Sequence, residues 1–191
     1  MYGYYGYDWT MILVAAGAVL CMLASMHVNT TYTRYSRMAA ACGLTGADVA
    51  RLILERNGVT DVQVQHVSGN LTDHYDPSRQ VVNLSDAVYG SRSVAALGVA
   101  AHECGHVMQH EEGYTPLQFR TALVPIANFG SNVGIWIVLL SLILGLSSTL
   151  TTIGIVLFSM GVLFQLVTLP VEFNASHRAL VMLEQYGVLG T

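Results

Sequence analysis

Two histidines and a glutamate lie within five residues, in the stretch HECGH that begins at His102. On a helix, His102 and His106 project from one face about 6 Å apart along the axis, so both imidazoles can converge on one metal ion. Glu103 lies about 100° around the helix from His102, where its carboxylate can take a proton from a bound water. The HExxH spacing therefore predicts a metal centre that activates water.

Two other side chains near this motif are poorer candidates for metal binding. His110 lies about 12 Å along a straight helix from His102, too far for zinc bonds of about 2.0 to 2.1 Å from all three imidazoles. We expect His110 to be a cation near the helix C-terminus and Cys104, which points away from the ligand face, to be a packing residue. A third ligand must come from elsewhere in the chain.

The best candidate for a third ligand is Glu172, the first charged residue after the uncharged segment 121–171. Pro170 is expected to open a helix at this point. Ser176, one turn after Glu172, would share its face and could hydrogen-bond a metal-binding histidine. The alternative is that Glu172 only marks the end of an apolar segment and meets water.

The composition is that of a membrane protein. Hydrophobic residues make up 53% of the chain and charged residues 10%, against roughly 25% charged in soluble domains. The net charge is −4 and there is no lysine, so the chain lacks the basic stripe that nucleic-acid binding needs. The cysteines are scattered, which predicts free thiols at Cys21, Cys42 and Cys104.

Three segments are long and apolar enough to cross a bilayer. Residues 9–28 contain no Asp, Glu, Lys or Arg, and with the aromatic belt before them they predict a retained anchor over 1–28. Residues 121–171 predict two antiparallel helices that turn within 145–152. The small and amide side chains of 127–134 are expected to face another helix, because they are too polar to face lipid.

The arginines predict the orientation in the membrane. Arg34 and Arg37 follow the first span and Arg120 precedes the second, so the segment between the spans should be cytoplasmic. Two further crossings would return Glu172 to the side that holds the histidines. The predicted order is an anchor (1–28), a cytoplasmic catalytic segment (29–120), a transmembrane hairpin (121–171) and a third-ligand helix (172–191).

Within the cytoplasmic segment, the sequence predicts two helices and two strands. A helix over 45–58 would begin with a capping box formed by Thr45 and Asp48. Strands over 61–67 and 80–84, separated by a polar turn, should pair as a small hairpin or sheet edge. The HExxH helix is expected over 93–110.

These motifs resemble a known family. HECGH, a charge-free helical hairpin and VEFNASHRAL are similar to the YugP-type neutral zinc metallopeptidases, small bacterial membrane proteins. SGNLTDHYDP, ANFGSN and LFQLVTLPVEFNAS extend the likeness over nearly the whole chain. More distantly, HExxH followed by EFxA resembles the HtpX-like and CAAX-processing membrane proteases of the gluzincin type.

The resemblance implies zinc ligands at His102, His106 and Glu172, with Glu103 as the general base. It also implies a mainly α membrane protein with three transmembrane helices and a small α+β, zincin-like cytoplasmic domain. The HtpX-like pattern has Asp where this chain has Ser176. YugP-type chains usually continue into a further apolar helix, so the chain is expected to be incomplete after Thr191.

The predicted function is a membrane-embedded zinc endopeptidase that acts at the cytoplasmic membrane face on peptide or membrane-protein substrates. Zinc suits two imidazoles and one carboxylate. His177 and Arg178 are candidates to stabilise the oxyanion, by their closeness to Glu172 in sequence. An extended substrate could pair with the edge strand formed by 61–67 or 80–84.

Two other functions remain open. The chain could be a non-catalytic membrane scaffold whose zinc is structural, in which case the fourth coordination position would be closed. Alternatively, cleavage could occur within transmembrane helices, with Asn128, Ser131 and Asn132 lining an aqueous path. Ordinary helix packing explains those three residues equally well. Neither the substrate nor the oligomeric state follows from these residues.

Overall fold

The structure, a computed structural model, describes residues 10–188, and this part of the chain is mainly helical, as predicted. The predicted aromatic belt in residues 1–9 lies outside the described residues. The helices are α1 (Thr10–Ser36), α2 (Gly46–Arg56), α3 (Val94–Glu111), α4 (Thr115–Ile143) and α5 (Ser148–Gln185); the strands are β1 (Gln63–His66), β2 (His74–Asp76) and β3 (Val81–Leu84).

Helices α2 and α3 begin where their capping residues predict. The Thr45 side chain accepts a hydrogen bond from the backbone N–H of Asp48, and the Asp48 carboxylate accepts one from the Thr45 N–H, which completes the capping box. Ser93 caps α3 in the same way through the N–H of Ala96. The small residues of α3 allow it to pack closely on α2, and Cys104 is fully buried there with its Sγ 3.7 Å from the carbonyl oxygen of Ala50.

The sheet is connected differently from the prediction. The two predicted strands pair with each other, as expected, but β1 and β3 run in parallel, so the hairpin alternative is wrong. The polar stretch between them contains β2, which pairs antiparallel with the other edge of β3 to give the order β1-β3-β2. A strand of three residues is too short to show an alternating apolar pattern, so β2 could not be recognised from its residues.

Helices α4 and α5 form the predicted antiparallel pair, with the turn at residues 144–147. Gly134 and Gly154 allow the close approach: a Cβ at Gly134 would collide with the backbone N of Phe158, and one at Gly154 with side chains of α4. The expectation that 127–134 faces a helix holds for its small residues, since Ala127, Gly130 and Gly134 are buried. It is wrong for the amides Asn128 and Asn132, which are exposed.

The expectation that a helix begins at Pro170 is wrong. Helix α5 begins at Ser148 and runs through Pro170. A proline inside a helix removes one hydrogen bond and costs about 3 kcal/mol. Packing offsets this cost, because the turns after Pro170 bury Val171, Ala175, Ala179 and Leu183. As a result, Glu172 lies within a continuous helix that begins at the turn after α4.

Helix α1 has no buried residue. It is tied to the rest of the described chain just after its C-terminal end, where Ala39 forms an antiparallel bridge with Ser93 and the N–H of Val94 donates to the carbonyl of Met38. By length and composition, α1, α4 and α5 are each able to cross a membrane. The chain is therefore a membrane protein with three candidate spanning helices.

Candidate metal centre

The site forms where α3 and α5 pack in backbone contact. Gly105 makes the contact possible, because a Cβ at this position would lie 2.5 Å from the carbonyl oxygen of Ala175. Glu172 is one turn before Ala175 on α5, and His102 and His106 flank Gly105 on α3. The close approach therefore places the Glu172 side chain opposite both imidazoles.

The three candidate ligands converge. The Nε2 atom of His102 lies 3.2 Å from Oε2 of Glu172, and the Nε2 atom of His106 lies 3.5 Å from the same oxygen. One ligand atom from each residue lies within 4.8 Å of the other two, so the group could hold a metal ion. The pairing of Glu172 with the histidines, expected from the sequence, is what the geometry shows.

The group suits zinc. Ligand atoms at the corners of a tetrahedron with bonds of about 2.0 to 2.1 Å are about 3.3 Å apart, which is close to the two distances to Oε2 of Glu172. Two imidazole nitrogens and one carboxylate oxygen are also the donors that leave one position of a zinc ion open. In residues 10–188 this is the one group of three or more such side chains that could hold a metal.

Each ligand has a further polar partner. The Oγ of Ser176 lies 3.1 Å from Nδ1 of His102, as expected from its spacing to Glu172. Nδ1 of His106 lies 3.0 Å from Oε1 of Gln109. Nη2 of Arg120 lies 3.7 Å from Oε1, the other carboxylate oxygen of Glu172, and the buried Nε of Arg120 has no hydrogen-bond partner among the described residues.

Glu103 is buried beside this group, with 8% of its surface exposed. Burial raises the pKa of its carboxyl group, although the two neighbouring imidazoles and the backbone N–H of Tyr75, which hydrogen-bonds to it, act in the opposite direction. Burial alone would lower the pKa of His106, but hydrogen bonds with Glu172 and Gln109 raise it. The carboxylates of Glu172 and Glu103, which favour a proton on His106, would also favour a metal cation beside it.

A cavity of about 940 Å³ opens over the three ligands and Glu103. Its walls come from β2, α3, the start of α4, and Glu172 on α5. Tyr75 on β2 and His110 on α3 contact each other across it, with the Tyr75 hydroxyl 3.4 Å from Nδ1 of His110. The cavity beside the three ligands is therefore large enough for a few residues of a peptide.

Several sequence candidates lie outside the convergent group. His110 lines the cavity but is not among the converging ligands, as predicted. Arg178 binds the carboxylate of Glu112 through both terminal nitrogens, and neither Arg178 nor the exposed His177 lines the cavity. Cys104 is a packing residue.

Three residues at the site were not found from the sequence: Arg120, Gln109 and Tyr75. Arg120 was used only as an indicator of membrane orientation, although its place at the end of a charge-free segment mirrors that of Glu172. Gln109 is three residues after His106 on the same helix, a spacing that could have suggested a hydrogen bond. Tyr75 lies on the unrecognised strand β2, and nothing in its local sequence indicated the contact.

Comparison with known proteins identifies the family. Residues 10–191 match a family model described as "Putative neutral zinc metallopeptidase". The chain belongs to this neutral zinc metallopeptidase family. A relative in Bacillus subtilis (strain 168), described as "Putative membrane protease YugP", is 48% identical over 169 residues, which cover 88% of this chain and 75% of the relative.

No solved structure matches this member of the family significantly. Membership of a zinc peptidase family implies zinc as the metal, in agreement with the donors that converge at His102, His106 and Glu172. The three apolar helices agree with the word "membrane" in the description of the relative.

Proposed function

We propose that this protein is a membrane-embedded zinc endopeptidase in which His102, His106 and Glu172 hold the ion and Glu103 is the general base. The observation that carries the proposal is that both histidine Nε2 atoms face one carboxylate oxygen of Glu172, in the wall of a cavity that also contains Glu103. Family membership supports peptide hydrolysis as the reaction. Open space over the ligands favours this function over a scaffold with a closed structural zinc.

The roles of the residues follow from their positions. Zinc, when bound, would act as a Lewis acid that polarises the substrate carbonyl and lowers the pKa of a coordinated water. Glu103 would take the proton from the attacking water and deliver it to the leaving amine nitrogen.

The substrate would bind along β2. This strand borders the cavity and lies at an edge of the sheet, with its other side paired to β3. Backbone pairing with its free edge would tolerate many substrate sequences. The earlier alternatives are less suitable: β3 is the central strand, so it has no free edge, and β1 does not line the cavity.

Arg120 is the arginine that faces the reacting groups. It lines the cavity and lies 3.7 Å from Glu172, whereas Arg178 is engaged with Glu112. We therefore prefer Arg120 to His177 or Arg178 as the cation that approaches the oxygen of the substrate carbonyl.

The proposed location is the cell membrane, with the catalytic segment 29–120 on the cytoplasmic side. The arginines near the ends of α1 and α4 support this orientation. The start of α4 and the middle of α5 both line the cavity, which supports a site at the membrane surface. Its substrates would be peptides or membrane proteins near that surface.

Metal analysis of the purified full chain tests the proposal. The wild type should carry zinc, and Glu172→Ala should lose most of it because two imidazoles alone hold the ion weakly. Glu184→Ala, an exposed glutamate on the same helix, is the matched control and should keep the metal. Unchanged zinc in Glu172→Ala would remove Glu172 from the ligands. Bound zinc without any peptide hydrolysis by the wild type would favour the scaffold instead.

A further inference from the structure

Gln109 is a fully buried polar side chain whose amide can be oriented without ambiguity. Its Nε2 lies 2.8 Å from the backbone carbonyl oxygen of Val171, an atom that can only accept a hydrogen bond. The nitrogen end of the amide must therefore face Val171, and the oxygen end faces Nδ1 of His106 at 3.0 Å. Because this oxygen can only accept, Nδ1 of His106 must carry the proton.

The orientation of Gln109 is reinforced by two further residues on α5. Oδ1 of Asn174 accepts from Nε2 of Gln109 at 2.9 Å and from Nε of Arg178 at 2.8 Å. Arginine has no acceptor, so the Asn174 atom between these donors must be the oxygen. Arg178 is in turn held by two hydrogen bonds to the Glu112 carboxylate, at 2.6 and 2.7 Å. These hydrogen bonds form a chain that runs from Glu112 through Arg178, Asn174 and Gln109 to His106. Each bond in the chain has only one possible donor.

We propose that Gln109 is a positioning residue that holds His106 in the tautomer with a proton on Nδ1, so that the lone pair of Nε2 is presented to the metal. Asn174 and Arg178 secure Gln109 in this role. The inference rests on the proposed function, since it concerns a ligand of the proposed zinc ion. His102 differs, because the hydroxyl of Ser176 can either donate or accept and so does not select a tautomer.

The test uses the full chain in detergent and measures zinc affinity by competition with a chelator. Gln109→Met has a similar volume and removes the strong acceptor, so zinc should bind about 10- to 100-fold more weakly, as for other partners of metal-binding histidines. Gln65→Met, at an exposed glutamine on β1, is the control and should bind zinc as the wild type does.

Nitrogen NMR of the metal-free, histidine-labelled protein provides a readout that a merely structural role would not change. At a pH high enough for the imidazole to be neutral, His106, identified by the signal lost in His106→Gln, should be the Nδ1–H tautomer in the wild type and a mixture of both tautomers in Gln109→Met. A single unchanged tautomer together with unchanged zinc affinity would overturn the inference. Absence of zinc binding by the wild type would instead overturn the proposed function.

A second pair of variants keeps the test decisive if Gln109→Met does not fold. Asn174 is only partly buried. Asn174→Asp retains an oxygen that accepts from Gln109 and Arg178, and should keep the wild-type zinc affinity. Asn174→Leu removes that oxygen and should weaken zinc binding in the same direction as Gln109→Met. Equal zinc affinity of these two variants would contradict the role of Asn174 in securing Gln109.

Discussion

Glu103 combines closeness to both imidazoles with shielding from water. It is buried, and it lines the same cavity as His102 and His106. A carboxylate buried among packed side chains has few orientations, and its place in the cavity wall would let it accept a proton from a water beside the histidines. A substitution that keeps the shape of the Glu103 side chain can therefore separate its proposed role as a base from metal binding by the ligands.

Glu103→Gln should retain zinc but lose peptide hydrolysis by about 10²- to 10⁴-fold, because the amide cannot accept the proton. Turnover of a quenched fluorescent peptide and metal content would be measured on the same preparation. Glu55→Gln, at an exposed glutamate on α2, should have wild-type turnover. Hydrolysis by Glu103→Gln at the wild-type rate would refute the assignment of the base.

At the scale of elements, the contact between α3 and α5 determines whether the ligands meet. The contact depends on Gly105, where the nearest atoms to an added Cβ are all backbone atoms of Ala175. Backbone atoms in a packed helix cannot move aside cheaply. Even a methyl group at this position should separate the two helices.

Gly105→Ala is expected to lower the free energy of unfolding by about 1 to 3 kcal/mol, the usual cost of overpacking, and to weaken zinc binding because Glu172 moves away from the histidines. Thermal unfolding in detergent and chelator competition would measure the two effects. Gly98→Ala on the same helix is the matched control, since nothing lies within 4 Å of its added Cβ. It should leave stability unchanged or raise it by up to about 1 kcal/mol. Equal stability of the two variants would show that the α3–α5 contact is not tight.

Features that depend on local sequence were predictable in this protein. The capping box at Thr45 and the spacing of His102 and His106 each act within one or two turns of helix, so the sequence alone shows them. The pairing of Glu172 with the histidines required one long-range inference, based on the number of membrane crossings. β2 and the passage of α5 through Pro170 depend on contacts between distant segments, which local patterns do not record.

For the whole molecule, the orientation in the membrane is the main prediction. With the cytoplasmic catalytic segment proposed above, the loop after β1 and the turn between α4 and α5 lie on opposite sides of the membrane. Asn70 lies in the loop and Ser148, the first residue of α5, directly follows the turn; both are exposed. A cysteine introduced at each position would show on which side of the membrane that position lies. The background chain would have serine in place of Cys21 and Cys42 and would keep the buried Cys104.

Asn70→Cys should react with a membrane-impermeant maleimide only after the cells are opened, and Ser148→Cys should react in intact cells. The unsubstituted background chain controls for reaction at Cys104. Labelling of Asn70→Cys in intact cells would reverse the proposed orientation.

The unbroken course of α5 has a consequence for where substrates can be cut. Glu172 lies 24 residues after the helix begins at Ser148, which is about 36 Å of helix. A hydrocarbon layer is about 30 Å thick, so an upright α5 whose first turn rests at one surface carries the carboxylate a few ångströms beyond the other. The length of α5 therefore sets the height of the metal centre relative to the membrane. Under the proposed function, the peptide bond to be cleaved must reach the level of the lipid headgroups.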